Sequence, residues 1–278
     1  MNKHFPKIQP VVMTVAGSDS GGGAGIQADL RTFASFDVFG VTAITAVTAQ
    51  NPEGVSAVQA MPADVVGKQM QAILQSFAVK AVKTGMLFNA EIIGAVVDAL
   101  AGQDLPLVVD PVMVASSGAV LLQPEALTAL TKQLLPRATV ITPNLPEAEI
   151  ILGRTIAKDE KSWRQAASEM QSRFGAAVVL KGGHAESRNC IDFLCHRGEC
   201  LRLAAPRVNS PTSHGTGCCF SAAIAAALAS GCELTEAVRQ AKALVLGALR
   251  GCVRVGEQSF AMKPLPKAPD NQVEVCGV

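Results

Sequence analysis

The sequence has no excess of charge of either sign and no long hydrophobic run. Its 278 residues include 24 Lys and Arg against 23 Asp and Glu, a formal net charge of +1. Nucleic-acid-binding proteins usually show a basic excess, so this balance argues against that class. No stretch of eighteen apolar residues occurs, which argues against a membrane span. The whole sequence is 49% hydrophobic and 17% charged, a balance typical of a compact soluble enzyme. Its length fits one large α/β domain.

A secretory leader and a metal-binding cysteine pattern are not indicated either. The first apolar stretch is interrupted by Pro6 and Pro10 and continues into a glycine loop, which favours a core strand over a signal peptide. Eight cysteines without a leader predict reduced thiols in the cytoplasm. Cys190, Cys195 and Cys200 recur at every fifth residue, but these intervals do not match a zinc site. We interpret them as buried or half-buried strand thiols.

Short apolar runs alternate with longer helical patterns, which predicts βαβ units and a mostly parallel sheet. The predicted strands are 11–16, 41–48, 81–84, 107–110, 139–142 and 176–181. The predicted helices are 25–36, 63–76, 90–101, 125–135, 161–174, 217–229 and 235–251. A hairpin around Arg197-Gly198 is predicted at the sheet edge, between residues 189 and 204. We expect a single domain over residues 1–278, with a loosely held tail from Lys263.

Glycine or a polar residue follows four of the predicted strands. The first strand leads into the loop GSDSGGGAG, and another ends in Asp110. Two more lead into TPNLPE and KGGH. Because ligands of open parallel sheets bind beyond the carboxyl ends of the strands, these segments together predict a polar crevice.

The first loop contains five glycines between Gly17 and Gly25, so a ligand can approach its backbone closely. It matches the G-x-G-x-x-G fingerprint only loosely, which leaves an NAD-dependent oxidoreductase as a weaker alternative. The following helix places Asp29 on its apolar face. A carboxylate there needs a partner. That partner is either the glycine loop or a ring nitrogen, amine or hydroxyl of a ligand.

Two carboxylates and an amide are candidates for a magnesium site. Asn144 and Glu147 are three residues apart after a strand, a spacing that also fits a helix capping box. Together with Asp110 at the end of the neighbouring strand, their oxygens suit a hydrated Mg²⁺ ion that phosphates complete.

The segment SHGTGCCF opens a long helix of small residues. Gly215 and Gly217 free the backbone, so that successive N–H groups can bind an anion at the helix N-terminus. The helix dipole would favour a thiolate at Cys218, which could act as a base toward a substrate hydroxyl. Cys219 is interpreted as helix packing. His214 is expected to shape the loop and stays outside the catalytic set.

Seven segments occur together and in the order of one known family. They are AGSDSGGGAGIQADL, TAQN, KTGML, DPVM, ITPNLPEAE, KGGH and HGTGC. With them the chain resembles the hydroxymethylpyrimidine/phosphomethylpyrimidine kinases of thiamine biosynthesis, within the ribokinase-like superfamily. The resemblance implies an α/β three-layer fold, with a central, mostly parallel sheet and helices on both faces. It also implies two ATP-dependent phosphorylations, of 4-amino-5-hydroxymethyl-2-methylpyrimidine to its monophosphate and then to its diphosphate.

The resemblance also implies the roles of individual residues. The pyrimidine pocket would consist of Gly17, Asp29, Gln50, Met86 and Val112. The anion hole and the base would be Gly215, Gly217 and Cys218, where many ribokinase relatives carry Asp at the base position. ATP and its phosphates would be bound by Asn144, Glu147, Lys181 and Thr216, and Mg²⁺ by Asp110 and Glu147. Lys181 would also neutralise charge on the transferred group.

Pyridoxal kinases of the same fold are the nearest alternative, because some of them share HGTGC. Those enzymes carry a second cysteine after DPVM, where this chain has Ala115 and Ser116. Gln50 also favours a pyrimidine. A non-catalytic pyrimidine sensor is the third alternative, but it would not need Cys218 or Lys181. The expected partners are the pyrimidine and ATP, without nucleic acid or membrane, and the family suggests a cytoplasmic homodimer.

Overall fold

The computed structural model describes residues 8–115, 118–182, 189–263 and 272–278. Its strands are β1 (Val11–Asp19), β2 (Phe39–Asn51), β3 (Gly54–Ala60), β4 (Val79–Thr84), β5 (Leu107–Val109), β6 (Val140–Ile141), β7 (Ala177–Lys181), β8 (Asn189–His196), β9 (Glu199–Pro206), β10 (Val253–Arg254), β11 (Phe260–Ala261) and β12 (Glu274–Gly277). Ten of them form one sheet in the order β12-β9-β8-β7-β6-β5-β4-β1-β2-β3, and β10 pairs separately with β11.

The centre of the sheet is parallel and its two edges are antiparallel. Strands β2, β1, β4, β5, β6 and β7 pair in parallel. Strand β3 continues one edge in antiparallel pairing, and β8, β9 and β12 continue the other. Because all six central strands run the same way, their carboxyl ends meet at one edge, where ligands of such sheets bind.

Helices cover both faces of the sheet, which confirms the predicted three-layer α/β architecture. They are α1 (Gly25–Ser35), α2 (Ala63–Ser76), α3 (Ala90–Ala99), α4 (Ala126–Ala129), α5 (Leu145–Leu152), α6 (Glu160–Phe174), α7 (Thr216–Ala229) and α8 (Leu234–Arg250). Helix α4 continues through a π turn, Leu130–Leu134, and a 3₁₀ turn, Leu135–Arg137.

Alternation along the strands divides the core into two layers. In β1, Met13 packs with the core that α2 to α6 cover, and Val12 packs with the core of α1, α7 and α8. The same division separates Val109 from Val108 in β5. Successive strand residues point to opposite faces, so a central strand that is covered on both sides must be apolar throughout. No helix of the described segments is both long and apolar enough to cross a membrane.

The hairpin at Arg197-Gly198 is confirmed, with positive φ angles of 52° and 82° at these two residues. Such angles are typical of the tight turns that connect antiparallel strands. The hairpin does not form the edge, however, because β12 pairs with β9 outside it. Of the tail that the sequence predicted to be loosely held, Glu274–Gly277 pairs with β9, and residues 264–271 lie outside the described residues.

The expectation of reduced thiols is wrong for one pair of cysteines. Cys195 and Cys200 face each other in the β8–β9 register, with their Cα atoms 4.1 Å apart, and they form a disulfide. The free cysteines of the described chain are Cys190, Cys218, Cys219, Cys232, Cys252 and Cys276. The five-residue spacing follows from the hairpin, since it places two cysteines directly opposite each other across the turn.

Candidate active site

A pocket opens at the carboxyl edge of the parallel strands, where the strand ends predicted a polar crevice. The predicted site residues that line it are Gly17, Gln50, Met86, Asp110, Val112, Asn144, Glu147, Lys181, Gly215, Gly217 and Cys218. They come from strand ends and loops on β1, β2, β4, β5, β6 and β7, and from the first turn of α7. The topology alone therefore brings together residues that lie up to 201 positions apart, from Gly17 to Cys218.

The turn that opens α7 has the geometry of an anion site. Gly215 is the N-cap of the helix and adopts a left-handed conformation, with φ of 83°. A side chain at Gly215 would also collide with the carbonyl oxygen of Gly23. The first N–H groups of a helix have no partner within the helix, and they carry the positive end of its dipole. Those of Gly217 and Cys218 are therefore available for a phosphate group.

Lys181 and Asp110 form an ion pair beside this turn. The Lys181 ammonium lies 3.0 Å from Asp110 Oδ1, and a Cβ at Gly217 would lie 3.3 Å from that ammonium. Thr142 and Ser221 donate hydrogen bonds to the same carboxylate, at 3.1 and 3.3 Å. Burial would lower the pKa of Lys181, but the nearby Asp110 and Glu147 carboxylates raise it overall. A permanent positive charge therefore lies directly against the anion-binding turn.

Asn144 and Glu147 form the capping box of α5. Asn144 Oδ1 accepts from the Glu147 N–H, and Glu147 Oε2 accepts from the Asn144 N–H, each at 2.8 Å. Burial raises the pKa of Glu147 to about 7, Lys181 acts against this, and the charge of Asp110 adds to it. The two residues thus have a structural role as well as a place in the pocket wall.

The donor set at this point fits a magnesium ion that is held mainly by phosphates and water. Two buried carboxylates, Asp110 and Glu147, face one region and repel each other, so a divalent cation would be stabilised there. In the described part of the chain, no group of three or more His, Cys, Asp or Glu side chains is arranged to bind a metal. A magnesium ion with few protein ligands usually completes its shell with waters and substrate phosphates.

Cys218 is a neutral thiol in this environment, contrary to the expected thiolate. Cys218 is partly buried in the pocket wall, and desolvation by the surrounding protein raises the pKa of its thiol to about 12. Attraction to Lys83 lowers the pKa of the thiol, repulsion from Asp29 and Asp110 raises it, and a hydrogen bond from Gly25 lowers it.

The other end of the pocket is less polar. Gly17 and Met86 are in close contact, since a Cβ at Gly17 would lie 3.0 Å from the Met86 sulfur. Val112 is partly buried beside Met86. Gln50 brings an amide to the same wall, with Thr48 Oγ1 3.1 Å from its Oε1. A flat, partly polar ring would find apolar surface and a hydrogen-bonding amide at this end.

Asp29, which was assigned to the substrate site, lies in the core behind the pocket-lining Lys83. Its side chain is fully buried, and its two oxygens lie 2.9 and 2.8 Å from the Lys83 ammonium. Thr14 donates a third hydrogen bond at 2.6 Å. The carboxylate therefore has its partners inside the protein. Lys83 is a residue that sequence reasoning missed, although a lysine within the buried β4 run was a usable signal.

Thr216, which was assigned to phosphate binding, stabilises the turn before α7. Its N–H and its hydroxyl both donate to the Ser213 carbonyl oxygen, at 3.2 and 2.9 Å. Sequence reasoning left His214 outside the catalytic set as a residue that shapes the loop, and Asp19 was not considered. Both line the pocket, and His214 Nε2 lies 3.2 Å from Asp19 Oδ2 and 3.2 Å from Gln50 Nε2.

An anion-binding turn, a lysine–carboxylate pair and a small ring-sized pocket at the edge of a parallel sheet define a class of enzyme. They are the parts of a kinase that transfers a phosphoryl group to a small hydroxylated molecule, where positioning and charge stabilisation supply most of the catalysis.

Comparison with known sequences places the chain within this class. The family model described as "Phosphomethylpyrimidine kinase" matches residues 19–263. The hydroxymethylpyrimidine/phosphomethylpyrimidine kinase of Rhizobium meliloti is 47% identical, over 88% of this chain and 92% of that one. The enzyme of the same name from Haemophilus influenzae is 48% identical, over 88% and 93%. The chain belongs to the phosphomethylpyrimidine kinase family.

Solved structures agree on the fold. The pyridoxal kinase of Staphylococcus aureus, in complex with AMP-PCP and pyridoxal, superposes with a TM-score of 0.87 at 33% identity, over 98% of this chain and 100% of that one. A phosphomethylpyrimidine kinase from Clostridium difficile superposes with a TM-score of 0.76 at 39% identity, over 86% and 99%. The ribokinase-like architecture that the resemblance implied is thus confirmed.

Proposed function

We propose that this enzyme uses ATP to phosphorylate 4-amino-5-hydroxymethyl-2-methylpyrimidine to its monophosphate and then to its diphosphate. The observation that carries this proposal is that the Lys181–Asp110 pair lies beside the first turn of α7. A Cβ at Gly217 in that turn would lie 3.3 Å from the Lys181 ammonium. A transferring phosphoryl group needs such a concentration of N–H donors and positive charge. Sequence identity to kinases named for both substrates supports the choice of acceptor.

Each part of the pocket then has a task. We assign the pyrimidine ring to the end formed by Gly17, Gln50, Met86 and Val112. The hydroxymethyl group would point toward Cys218, and the transferred phosphoryl group would lie against the N–H groups of Gly217 and Cys218. As the substrate oxygen bonds to the γ-phosphorus, the bond to the β-phosphate oxygen breaks and ADP leaves. For Cys218 to accept the hydroxyl proton, its thiol proton must first pass to solvent water at the pocket, and the proton it then gains returns to water after ADP leaves.

Lys181 and the carboxylates would organise the phosphates. Lys181 would neutralise charge on the transferred group, and Asn144 would contribute an amide beside it. Asp110 and Glu147 would hold a magnesium ion, which when bound would neutralise charge on the ATP phosphates. Their buried, mutually repelling charges support this assignment.

The decisive experiment is a substrate panel. Purified protein with magnesium and ATP is offered hydroxymethylpyrimidine, its monophosphate, pyridoxal or pyridoxine, and ADP formation is measured. The expected result is the highest kcat/KM for the two pyrimidines. Higher kcat/KM for pyridoxal would replace this function with that of the S. aureus neighbour. Tight pyrimidine binding without ADP formation would indicate a sensor.

We further propose that residues 1–278 are one kinase domain, which works as a homodimer in the cytoplasm. The single sheet that runs from β3 to β12 supports one domain, and the use of ATP fits the cytoplasm. Phe39 and Phe77, stacked with ring centroids 6.1 Å apart and 50% and 41% exposed, supply apolar surface for a subunit contact. Sedimentation velocity of wild type and of Phe39→Ser tests the dimer, since only wild type should sediment at twice the monomer mass.

A further inference from the structure

His214 occupies a fixed position between two pocket loops. It precedes the left-handed Gly215, and a side chain at Gly23 would collide with the His214 imidazole. The glycine loop after β1 therefore packs directly on the ring. From this position Nε2 faces two groups at once, Asp19 Oδ2 and the end of the Gln50 amide, each at 3.2 Å.

Whether His214 Nε2 carries a hydrogen determines which atom of the Gln50 amide can face it, the oxygen or the nitrogen. Asp19 accepts hydrogen bonds from the N–H groups of Gly21 and Ala24, each at 2.8 Å. Burial alone would raise the pKa of Asp19, but its bonds to His214, Ala24 and Gly21 lower it overall, so it is a carboxylate at neutral pH. A carboxylate only accepts, so a hydrogen-bonded Nε2 must carry the hydrogen. The Gln50 atom that faces Nε2 must then be an acceptor.

Thr48 permits the same orientation from the other side of the amide. Its hydroxyl oxygen lies 3.0 Å from the Ser18 carbonyl oxygen and 3.1 Å from the second terminal atom of Gln50. A hydroxyl has one hydrogen, and a carbonyl oxygen can only accept. If that hydrogen goes to Ser18, the Gln50 atom that faces Thr48 must be a donor. The His214 end of the amide thus requires its oxygen toward the imidazole, and the Thr48 end accommodates the nitrogen by donating its hydrogen to Ser18. This orientation is a half-turn of the amide that the side-chain shape permits.

We infer that His214 is a positioning residue for substrate specificity. Together with Asp19 and Thr48, it fixes the orientation of the Gln50 amide, with Oε1 toward the imidazole and Nε2 toward Thr48. This inference rests on the proposed binding of the pyrimidine by Gln50. In the locked state, one hydrogen of Nε2 and one lone pair of Oε1 remain for a ligand. A donor and an acceptor in fixed order match a ring nitrogen next to an exocyclic amine, which is the edge of an aminopyrimidine. Pyridoxal has no such amine, so it gains less from the fixed order.

The kinetic test is a double-mutant cycle between His214 and Gln50. We expect His214→Leu to raise the KM for hydroxymethylpyrimidine about tenfold, the loss of one well-directed hydrogen bond, with kcat within about twofold. The effect on KM for pyridoxal should be less than about twofold. His214→Gln, which can still place an N–H near Asp19, should recover most of the loss. His196→Leu, a histidine in the β8–β9 hairpin, serves as the matched control.

The Gln50→Ala background separates specificity from loop shaping. If His214 acts through Gln50, then His214→Leu adds less than about twofold to the KM of Gln50→Ala. If it still adds about tenfold, His214 only shapes the loop and the inference is wrong. Absence of pyrimidine turnover by wild type would instead contradict the proposed function.

A spectroscopic readout tests the lock without any turnover. In ¹⁵N-labelled wild-type protein, the His214 imidazole signals are assigned by their loss in His214→Gln. We expect Nε2 to carry hydrogen at neutral pH. An Nε2 without hydrogen would require Gln50 to donate to it, which would overturn the inference whatever the kinetic variants show.

Discussion

Two lysine–aspartate pairs lie near the carboxyl ends of the sheet, and they differ in one respect. Lys83 and Asp29 are 2.8 Å apart, and both side chains are 0% exposed. Lys181 and Asp110 are 3.0 Å apart, and the lysine retains 16% exposure on the pocket side. The residue types and distances are nearly the same. Lys83 borders the pocket without exposed surface, whereas Lys181 is partly exposed there, so the two pairs differ in exposure and not in residue type.

The Lys83–Asp29 pair, called here the closed pair, joins α1 to β4 at the floor of the pocket. Thr14 adds a hydrogen bond to Asp29, and the absence of a side chain at Gly85 leaves room for the ammonium, since a Cβ there would lie 2.9 Å from Lys83 Nζ. Burial would lower the pKa of Lys83, but the Asp29 and Asp110 carboxylates raise it overall, so Lys83 stays charged, while burial raises the pKa of Asp29. Removing one partner would leave an uncompensated buried charge.

The largest effect on kcat is expected from the Lys181–Asp110 pair, called here the open pair. Lys181→Met should lower kcat about a thousandfold, because it removes positive charge from the site of phosphoryl transfer. The melting temperature should fall by less than in Lys83→Met, since Lys181 is partly exposed and Asp110 keeps its bond from Thr142. Steady-state kinetics and thermal unfolding of the same preparation check both expectations. A tenfold or smaller loss of kcat would place the transfer elsewhere.

The closed pair should respond in the opposite way. Lys83→Met should lower the free energy of unfolding by about 3–5 kcal/mol, because it strands the Asp29 carboxylate in the core. Urea denaturation measures this, with Lys80→Met, an exposed lysine on the same strand, as the matched control. Adding Asp29→Leu to Lys83→Met should restore much of the stability. If Lys83→Met is as stable as wild type but inactive, the closed pair belongs to the catalytic machinery after all.

A smaller kinetic effect is expected at the thiol between the two pairs. Cys218→Ala should lower kcat about a hundredfold, the usual contribution of proton transfer, and leave both KM values within about threefold. Cys219→Ala is the matched control, because Cys219, the next residue of α7, is buried in the hydrophobic core. If Cys218→Ala keeps its kcat but has a greatly raised KM for the pyrimidine, then Cys218 only lines the pocket and does not accept the proton.

The smallest effect is a difference in thiol reactivity. With a pKa of about 12, Cys218 is almost entirely protonated at pH 7, and the thiolate fraction rises about tenfold with each pH unit. Iodoacetamide should therefore modify Cys218 slowly at pH 7 and faster at pH 9. The exposed Cys276 provides an internal reference in the same peptide map. Modification of Cys218 at the rate of Cys276 at pH 7 would contradict the buried, neutral thiol.

Local patterns predicted much of the fold and most of the pocket. Helix α2 has the predicted bounds, Ala63–Ser76, because its apolar period and its flanking prolines and aromatics are local signals. The capping box at Asn144 and the turn at Arg197 are local for the same reason. The pocket followed from the rule that parallel strands end at one edge.

The pairings that the sequence did not predict include partners that are distant in the chain. Asp29 and Lys83 are 54 residues apart, and His214 and Asp19 are 195 apart, so no sequence period connects them. Asp29 was correctly expected to face inward, but its internal partner is a lysine on β4 and not the glycine loop. The disulfide depends on a register of exact opposition between Cys195 and Cys200, which their spacing alone did not reveal.

The most direct test of the account is a count of phosphates per pyrimidine. Limiting hydroxymethylpyrimidine is incubated with excess magnesium-ATP until ADP formation stops, with wild type and with Lys181→Met. One site that performs both steps predicts two ADP per pyrimidine for wild type, and loss of both steps together in the variant. One ADP per pyrimidine, or a variant that keeps either step at the wild-type rate, would contradict the claim that the open pair serves both transfers.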